Sequence, residues 1–362
     1  MGIMPDQSGW ETAPYTPELS AGVIDLSRRI WPGAEICDES YHRWQYQANP
    51  AGQALAALAS EGAAGRIVGQ FGAIPVRVVI DGEERLAALA LNVATDPAYR
   101  RQGMFAALGE ASDKLMAQAG VSLAFAMPNA NSFPGFLSRL SYSFAGDVPF
   151  LVRPVNLRRL VRSRLRVPLI PDVAALASRP FFPRLPHQPR EPAGVAVDIV
   201  TQFDEAFDDL WKRLRNRHRV MLVRDAAYLN WRYVRIPLRE YTCFAAHAGG
   251  ALAGYIVLRV AELLGLRGGF VVDFVTEASE RGRRAGEALL SHALAFFADE
   301  DVDLLATLML PHTHEYRLLR SARFRPLPKF LLPQRFRLVA RDADPALSVK
   351  NWFFTFGDYD VV

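Results

Sequence analysis

One block of this chain occurs twice. Tyr41-His-Arg-Trp44-Gln-Tyr46 leads to Pro50, and Tyr228-Leu-Asn-Trp231-Arg-Tyr233 leads to Pro237. The spacing Tyr-x-x-Trp-x-Tyr-x-x-x-Pro therefore recurs at an offset of 187 residues, from Tyr41 to Tyr228. Self-similarity at a fixed period means a duplicated supersecondary plan and should be read before any local motif. Downstream of the block, the order of elements is also shared. Short strands come first (66–71; then 242–246 and 255–258), and a long apolar strand after them (86–93; 269–275). An Arg/Gly-rich turn then opens an amphipathic helix. A last strand (122–127; 303–310) ends at a proline, and a short helix closes on an aromatic, Tyr142 or Phe324. Strands alternating with helices at these lengths predict an α/β class, built twice.

Composition sets the borders of the copies. Residues 151–200 hold nine arginines and eight of the chain's 24 prolines. Proline removes backbone donors and breaks helices, so an irregular basic connector is expected over 151–195. It separates an N-terminal domain at 1–150 from a C-terminal one at 196–340, with an aromatic and acidic tail at 341–362. The net charge of +4 over 362 residues is too small for a nucleic-acid binder, and the arginines lack interleaved aromatics outside Phe181 and Phe182. No run approaches the ~18 apolar residues of a membrane span. MGIMPDQSGW shows no secretory signal, and two cysteines, Cys37 and Cys243, make no disulfide scaffold or zinc site. A protein of a reducing, cytoplasmic compartment is expected.

The chemistry is concentrated after the strand that ends at Val93. Asp96-Pro97 breaks that strand, and Arg100-Arg101-Gln102-Gly103 leads into a helix whose apolar face is Met104, Phe105, Leu108, Leu115 and Met116. A helix start behind a glycine-containing turn exposes unpaired N–H groups and the positive end of the helix dipole. It is a ready-made phosphate or pyrophosphate site. Gly103 permits close approach, and Arg100 and Arg101 add positive charge.

With Val93, Pro97, Arg100 and Gly103 in these places, the chain resembles the GNAT superfamily of N-acyltransferases. Its signature, Arg/Gln-x-x-Gly-x-Gly/Ala after a Val-x-x-x-Pro-x-x-Arg lead-in, binds the pyrophosphate of acyl-coenzyme A. Phe105 departs from the small final residue. The resemblance covers most of the chain and is specific mainly in 86–142. It implies two tandem GNAT-like domains, each a twisted mixed sheet flanked by helices, and acetyl-CoA as acyl donor with no metal. It also implies coenzyme contacts from Leu91, Asn92, Val93, Arg100, Arg101, Gln102, Gly103, Met104 and Phe105. Asn129 and Asn131 fall where the family splays two parallel strands for the pantetheine arm. The acceptor it implies is a small amine, with amino sugars of bacterial polysaccharide pathways preferred. The second copy, Arg283-x-x-Gly286-x-Ala288, fits only with one residue inserted and lacks the lead-in proline, so it reads as a degenerate site.

Acyl transfer to an amine needs a base. Many GNATs place a carboxylate on the central strand and a tyrosine on the closing helix. This chain has Asn92 on the strand, and Phe136 and Leu137 on the helix. Asp273 interrupts an apolar run in the second copy, where burial would raise its pKa toward that of a base. Alternatively it bonds structurally to backbone or to an arginine. The tail from Trp352 to Asp358, Tyr359 and Asp360 carries five aromatics that would be costly to leave in water. Either the tail enters a groove between the halves and Asp358 and Asp360 bind the amine, or it completes a sheet with both aspartates in solvent. Asp273, Asp358 and Asp360 are the candidate catalytic residues. His312 and His314 lack an evident third metal ligand. Two other functions fit parts of the sequence: a Fem-type aminoacyl transferase, disfavoured by the pyrophosphate turn, and a scaffold touching anionic lipid through the basic, apolar segment 157–167.

Overall fold

The computed structural model describes residues 9–62, 65–156, 159, 184–263, 265–332, 334–342 and 348–359. The segment 157–167, read above as a candidate lipid contact, lies outside the described residues apart from Arg159, and so does the candidate catalytic residue Asp360. The chain forms two compact units. Unit 1 comprises 1–146, 235–239 and 337–348; unit 2 takes the rest, the tail included.

Unit 1 contains β1 (Glu11–Pro14), α1 (Ser20–Ile30), α2 (Glu39–Tyr46), β2 (Ala57–Ser60), β3 (Ile67–Ile80), β4 (Glu83–Thr95), α3 (Met104–Gln118), β5 (Leu123–Ala126), α4 (Phe133–Arg139) and β6 (Ser143–Asp147). Unit 2 contains β7 (Phe150–Pro154), β8 (Val195–Val200), α5 (Glu205–Leu214), β9 (Val220–Leu222), α6 (Ala226–Leu229), β10 (Thr242–Ala248), β11 (Ala251–Leu263), β12 (Leu266–Thr276), α7 (Glu280–Asp299), β13 (Leu304–Leu308), α8 (His314–Ser321) and β14 (Arg325–Pro326). The chain then returns to unit 1 with β15 (Arg337–Asp342). The sheet of unit 1 runs β1-β2-β3-β4-β5-β15-β6, and that of unit 2 runs β14-β7-β13-β12-β11-β10-β8.

Two strands thus lie away from their sequence neighbours. β7, at the start of the segment read as an irregular connector, pairs antiparallel with β13 in unit 2. β15, placed by sequence at the end of the C-terminal domain, pairs antiparallel with β5 in unit 1. Each gives hydrogen-bond partners to a strand whose other neighbour is parallel. An unpaired strand edge is a liability, so a sheet gains by covering it even with distant chain.

The two units share local devices. The β3–β4 hairpin turns on Asp81 and Gly82 and the β10–β11 hairpin on Gly249 and Gly250, all with positive φ, as the tight two-residue hairpin turn requires. The repeated motif is also explained. Its first Tyr packs on its Trp in each copy, with ring centroids 5.1 Å apart for Tyr41–Trp44 and 5.7 Å for Tyr228–Trp231. The core of unit 1 lies between the sheet and α3, where Met104, Leu108 and Met116 meet Phe71 and Phe136.

Candidate active site

Two irregularities in β4 create the site. The first is the end of its parallel pairing. β4 and β5 pair at Ala87–Leu123, Ala88–Ala124 and Leu89–Phe125, and pairing stops there although β4 runs on to Thr95. The second is a bulge on the opposite edge. Gly72 faces Leu91 and Gln70 faces Ala94, so Phe71 opposes both Asn92 and Val93. Asn92 takes a φ of 50° there. Bulges re-aim side chains and recur beside active sites. In a strand otherwise largely buried at this end, Leu91, Asn92 and Val93 are half-exposed. They line a wedge that opens where β5 leaves β4.

Asn92 is held from behind. Its Nδ2 donates to Gln45 Oε1 at 2.7 Å and lies 3.4 Å from the Tyr46 hydroxyl. Gly72 leaves the room: a Cβ there would sit 2.8 Å from the Tyr46 oxygen and 2.7 Å from the Leu91 carbonyl. Behind Tyr46 the His42 ring stacks at 4.4 Å between centroids, and its Nε2 lies 3.2 Å from the Tyr15 hydroxyl. Burial pushes the His42 imidazole down to about 4, so it is neutral at pH 7. None of these supporting side chains is evident from charge or motif alone. Tyr46 alone carries a signal, as the second tyrosine of the repeated motif.

After β4 the chain turns sharply. Asp96 Oδ1 accepts from the Ala98 amide at 3.1 Å, and its Oδ2 accepts from Arg29 Nε at 3.2 Å. This anchor is a second feature that sequence reading missed. Arg101 adopts a φ of 64° and Gly103 a φ of 80°. A left-handed arginine is strained, and such strain concentrates at functional sites. Helix α3 starts at Met104 with Gly103 as its N-cap, no side-chain cap and no acidic residue in its first turn. Its internal bonding begins when the Ala106 and Ala107 amides donate to the Gly103 carbonyl. The amides of Gly103, Met104 and Phe105 come before that first bond, among the four that an α-helix leaves without an intrahelical partner at its start. A Cβ at Gly103 would meet nothing within 4 Å. The helix start, with Arg100, Arg101 and Gln102 exposed, is therefore open to an anion.

Phe105 turns inward. Its ring packs on Phe136 at 5.7 Å and Phe71 at 6.2 Å, and Gly135 is bare opposite it: a Cβ there would lie 2.8 Å from the ring. The bulky residue thus fills the core below the turn and leaves the anion position clear. Asn129 also has a structural duty. Its Oδ1 accepts from the Asn131 and Ser132 amides, each at 3.0 Å, and shapes the turn into α4. Asn131 is exposed.

The second copy differs at every one of these points. Helix α7 starts earlier, at Glu280, and Ser279 caps it by accepting from the Gly282 amide at 3.1 Å. Glu277 and Glu280 surround that start, and Arg281 and Arg283 are bonded to them. Gly286 lies inside the helix, where a Cβ would come 2.5 Å from Leu318. Among the described residues, the helix start of this copy is capped by Ser279 and flanked by paired carboxylates.

The candidate catalytic carboxylates of this unit are buried. Asp273 and Asp358 are 1% and 2% exposed and share Arg224, itself 2% exposed. Arg224 Nε donates to Asp273 at 3.1 Å and Nη2 to both Asp358 oxygens at 2.8 Å. Asp273 also accepts from the hydroxyls of Tyr255, Tyr233 and Thr355 at 3.0, 3.3 and 3.1 Å. Burial raises the Asp358 carboxyl, with Arg224 opposing it. Of the two roles open to Asp273, the arginine-bonded one matches this geometry. His312 is engaged too, its Nε2 lying 2.9 Å from the Trp352 carbonyl. Among the described residues no three His, Cys, Asp or Glu side chains cluster as metal donors, and no helix is long and apolar enough to cross a membrane.

The same organisation is found by comparison. An acetyltransferase (GNAT) domain model matches residues 13–145 and an acetyltransferase (GNAT) family model matches 203–324, together well over half of the chain. The chain belongs to the GNAT family. This tandem GNAT protein has no match among curated proteins. Solved structures share its fold. A conserved Enterococcus faecalis protein named a probable N-acyltransferase aligns with 13% identity and a TM-score of 0.63, covering 92% of this chain and 72% of the other. Saccharomyces cerevisiae N-myristoyltransferase with bound myristoyl-CoA aligns with 12% identity and a TM-score of 0.62 over 93% and 83%. A GCN5-related N-acetyltransferase of Anabaena variabilis gives 12% and 0.63 over 92% and 73%. As a GNAT, the chain is an acyltransferase.

Proposed function

We propose that this GNAT is a cytoplasmic acyl-CoA-dependent N-acyltransferase with one coenzyme site, in unit 1. Acetyl-CoA is the donor and a small amine, first among them an amino sugar, is the acceptor. The observation that carries the reading is the uncapped start of α3 beside the wedge at Leu91–Val93. The pyrophosphate would accept from the Gln102–Phe105 amides with Arg100 and Arg101 as counter-charge, while the pantetheine arm follows the free edge of β4 toward Asn129. The acceptor nitrogen attacks the thioester carbon, the C–S bond breaks, and the thiolate leaves with the proton that the amine gives up. Asn92 stays neutral and orients rather than titrates. With Asp273 and Asp358 committed to Arg224, water at the open wedge relays the amine proton to the departing thiolate.

Calorimetry with acetyl-CoA, myristoyl-CoA and free coenzyme A tests the donor. Micromolar binding of acetyl-CoA, with thiol release over a panel of primary amines that includes glucosamine, supports the reading. A strong preference for myristoyl-CoA would replace acetyl by a long chain. Absence of binding by all three would overturn it.

A further inference from the structure

The two units contain the same ladder. In unit 2, β12 and β13 pair in parallel at Gly268–Leu304, Gly269–Leu305 and Phe270–Ala306. These are the three pairs of β4 and β5 moved by 181 residues on both strands, from Ala87 to Gly268 and from Leu123 to Leu304. The bulge is repeated as well: Leu258 faces Val271 and Val257 faces Asp273, leaving Val272 as the extra residue. The same shift carries Asn92 onto Asp273. Tyr46 and Tyr233, equivalent in the repeated motif, approach these two residues at 3.4 and 3.3 Å. Unit 2 therefore possesses the strand framework of a coenzyme wedge.

The filling of that framework is different. Leu91, Asn92 and Val93 are half-exposed, whereas Val272, Asp273 and Phe274 are buried. The cover is the C-terminal tail. Thr355 Oγ1 donates to Asp273 on β12, while His312, just beyond β13, meets the Trp352 carbonyl. The Phe356 ring packs at 6.0 Å on Phe270, the last residue of the parallel ladder, and at 6.2 Å on Phe150 of β7. Trp352 also bridges to Val220. Within the tail, 355–358 make a tight turn in which the Thr355 amide donates to Asp358 at 2.8 Å, and Arg224 clasps Asp358 and Asp273 together. An arginine between one carboxylate of the framework and one of the tail fixes the tail in a single register.

We propose that the second coenzyme-type wedge is permanently occupied by the chain's own residues Trp352–Asp358, with Asp273–Arg224–Asp358 as the clasp that holds them in. The segment is an internal ligand, in the place where unit 1 keeps its cleft open. The aromatic tail and the acidic interruption of β12 are then two halves of one device.

Two measurements on the full chain test this. Titration with coenzyme A should give one site per chain, and amide exchange should show 352–358 protected to the same degree as β12. Thr355→Val keeps the side-chain shape but removes the hydroxyl from Asp273. It should speed exchange in 352–358 and in 271–275 together by at least tenfold, with α3 unchanged. Arg224→Met should do the same more strongly; if it fails to fold, Thr355→Val carries the test. A second coenzyme equivalent bound to the unaltered chain, or a tail that exchanges freely while β12 stays protected, overturns the proposal. Absence of any coenzyme binding would instead count against the function proposed for unit 1, and the exchange experiment would still decide the tail.

Discussion

Unit 1 and unit 2 carry the same parallel ladder, a bulge beyond it and the same tyrosine behind it, yet the residues at the bulge are half-exposed in unit 1 and buried in unit 2. The difference lies just beyond the ladder. In unit 1 the strand hands over to a strained turn and an uncapped helix. In unit 2 the helix is longer by its first turn, capped by Ser279 and neutralised by Glu277 and Glu280. The space beside the strand is filled by Phe356 and Asp358. A duplicated framework thus diverges by changing helix caps and filling space, while the strand pairing that both copies need to fold is kept.

The sharpest way to break this comparison is to put one substitution in both helices. Gly103→Glu places a carboxylate at the open start of α3, where charge and dipole favour an anion from the ligand. Coenzyme binding should fall more than a hundredfold in calorimetry. The positive φ costs only about 1 kcal/mol of stability, because the added atoms meet open space. Gly286→Glu should do the reverse. It forces a charged side chain against Leu318, Thr276 and Phe274, and overpacking of that kind costs about 3 kcal/mol or more. Unit 2 should melt early while coenzyme affinity of the folded protein is unchanged. Equal loss of binding in both variants would mean that unit 2 also takes coenzyme.

Asp273→Asn separates a structural carboxylate from a catalytic one. It removes a charge from Arg224 and turns an amide against a ring of hydroxyl donors, for which the range on breaking a buried pair is about 3–5 kcal/mol. Thermal or denaturant unfolding should show that loss. Turnover per folded molecule should change less than about threefold, against the 10²–10⁴ expected for a lost base. A variant of native stability and collapsed turnover would restore Asp273 as the base.

Much of unit 1 was legible because its signals are local. An Asp-Pro strand stop, a glycine before an apolar helical face and an arginine pair need no tertiary context, and the helix starts at Met104 where they place it. The placement of β7 and β15 was illegible because any short extended segment can pair with any free edge, and only the assembled sheet shows which edge is free. The fate of Asp273 stood between two roles for a related reason. A buried carboxylate in a sequence announces a partner without naming it, and Arg224 lies 49 positions away. Gln45 and His42 were silent for a third reason: neutral polar residues gain meaning only from geometry.

The smallest expected effect concerns acid. Burial lowers His42 of unit 1 to about 4, and burial with the Arg217 charge lowers His218 of unit 2 to about 4. The unfolded chain accepts each proton near pH 6.5, whereas the folded chain declines it until about pH 4. Each histidine's contribution is therefore complete above pH 6.5, shrinks as pH falls through that window and is gone near 4. From pH 6.5 to 5.5 the loss is about 1 kcal/mol per histidine. His42→Phe keeps a ring stacked on Tyr46 and leaves the Tyr15 hydroxyl its bonds to Ser20 and Gln47. Amide protection factors in α2 and β3 of this variant should lose their fall between pH 6.5 and 5.5, while those around His218 keep it. If protection in α2 falls as before, a different group titrates in unit 1, and the neutral imidazole behind Tyr46 is not what weakens the Asn92 wall in acid.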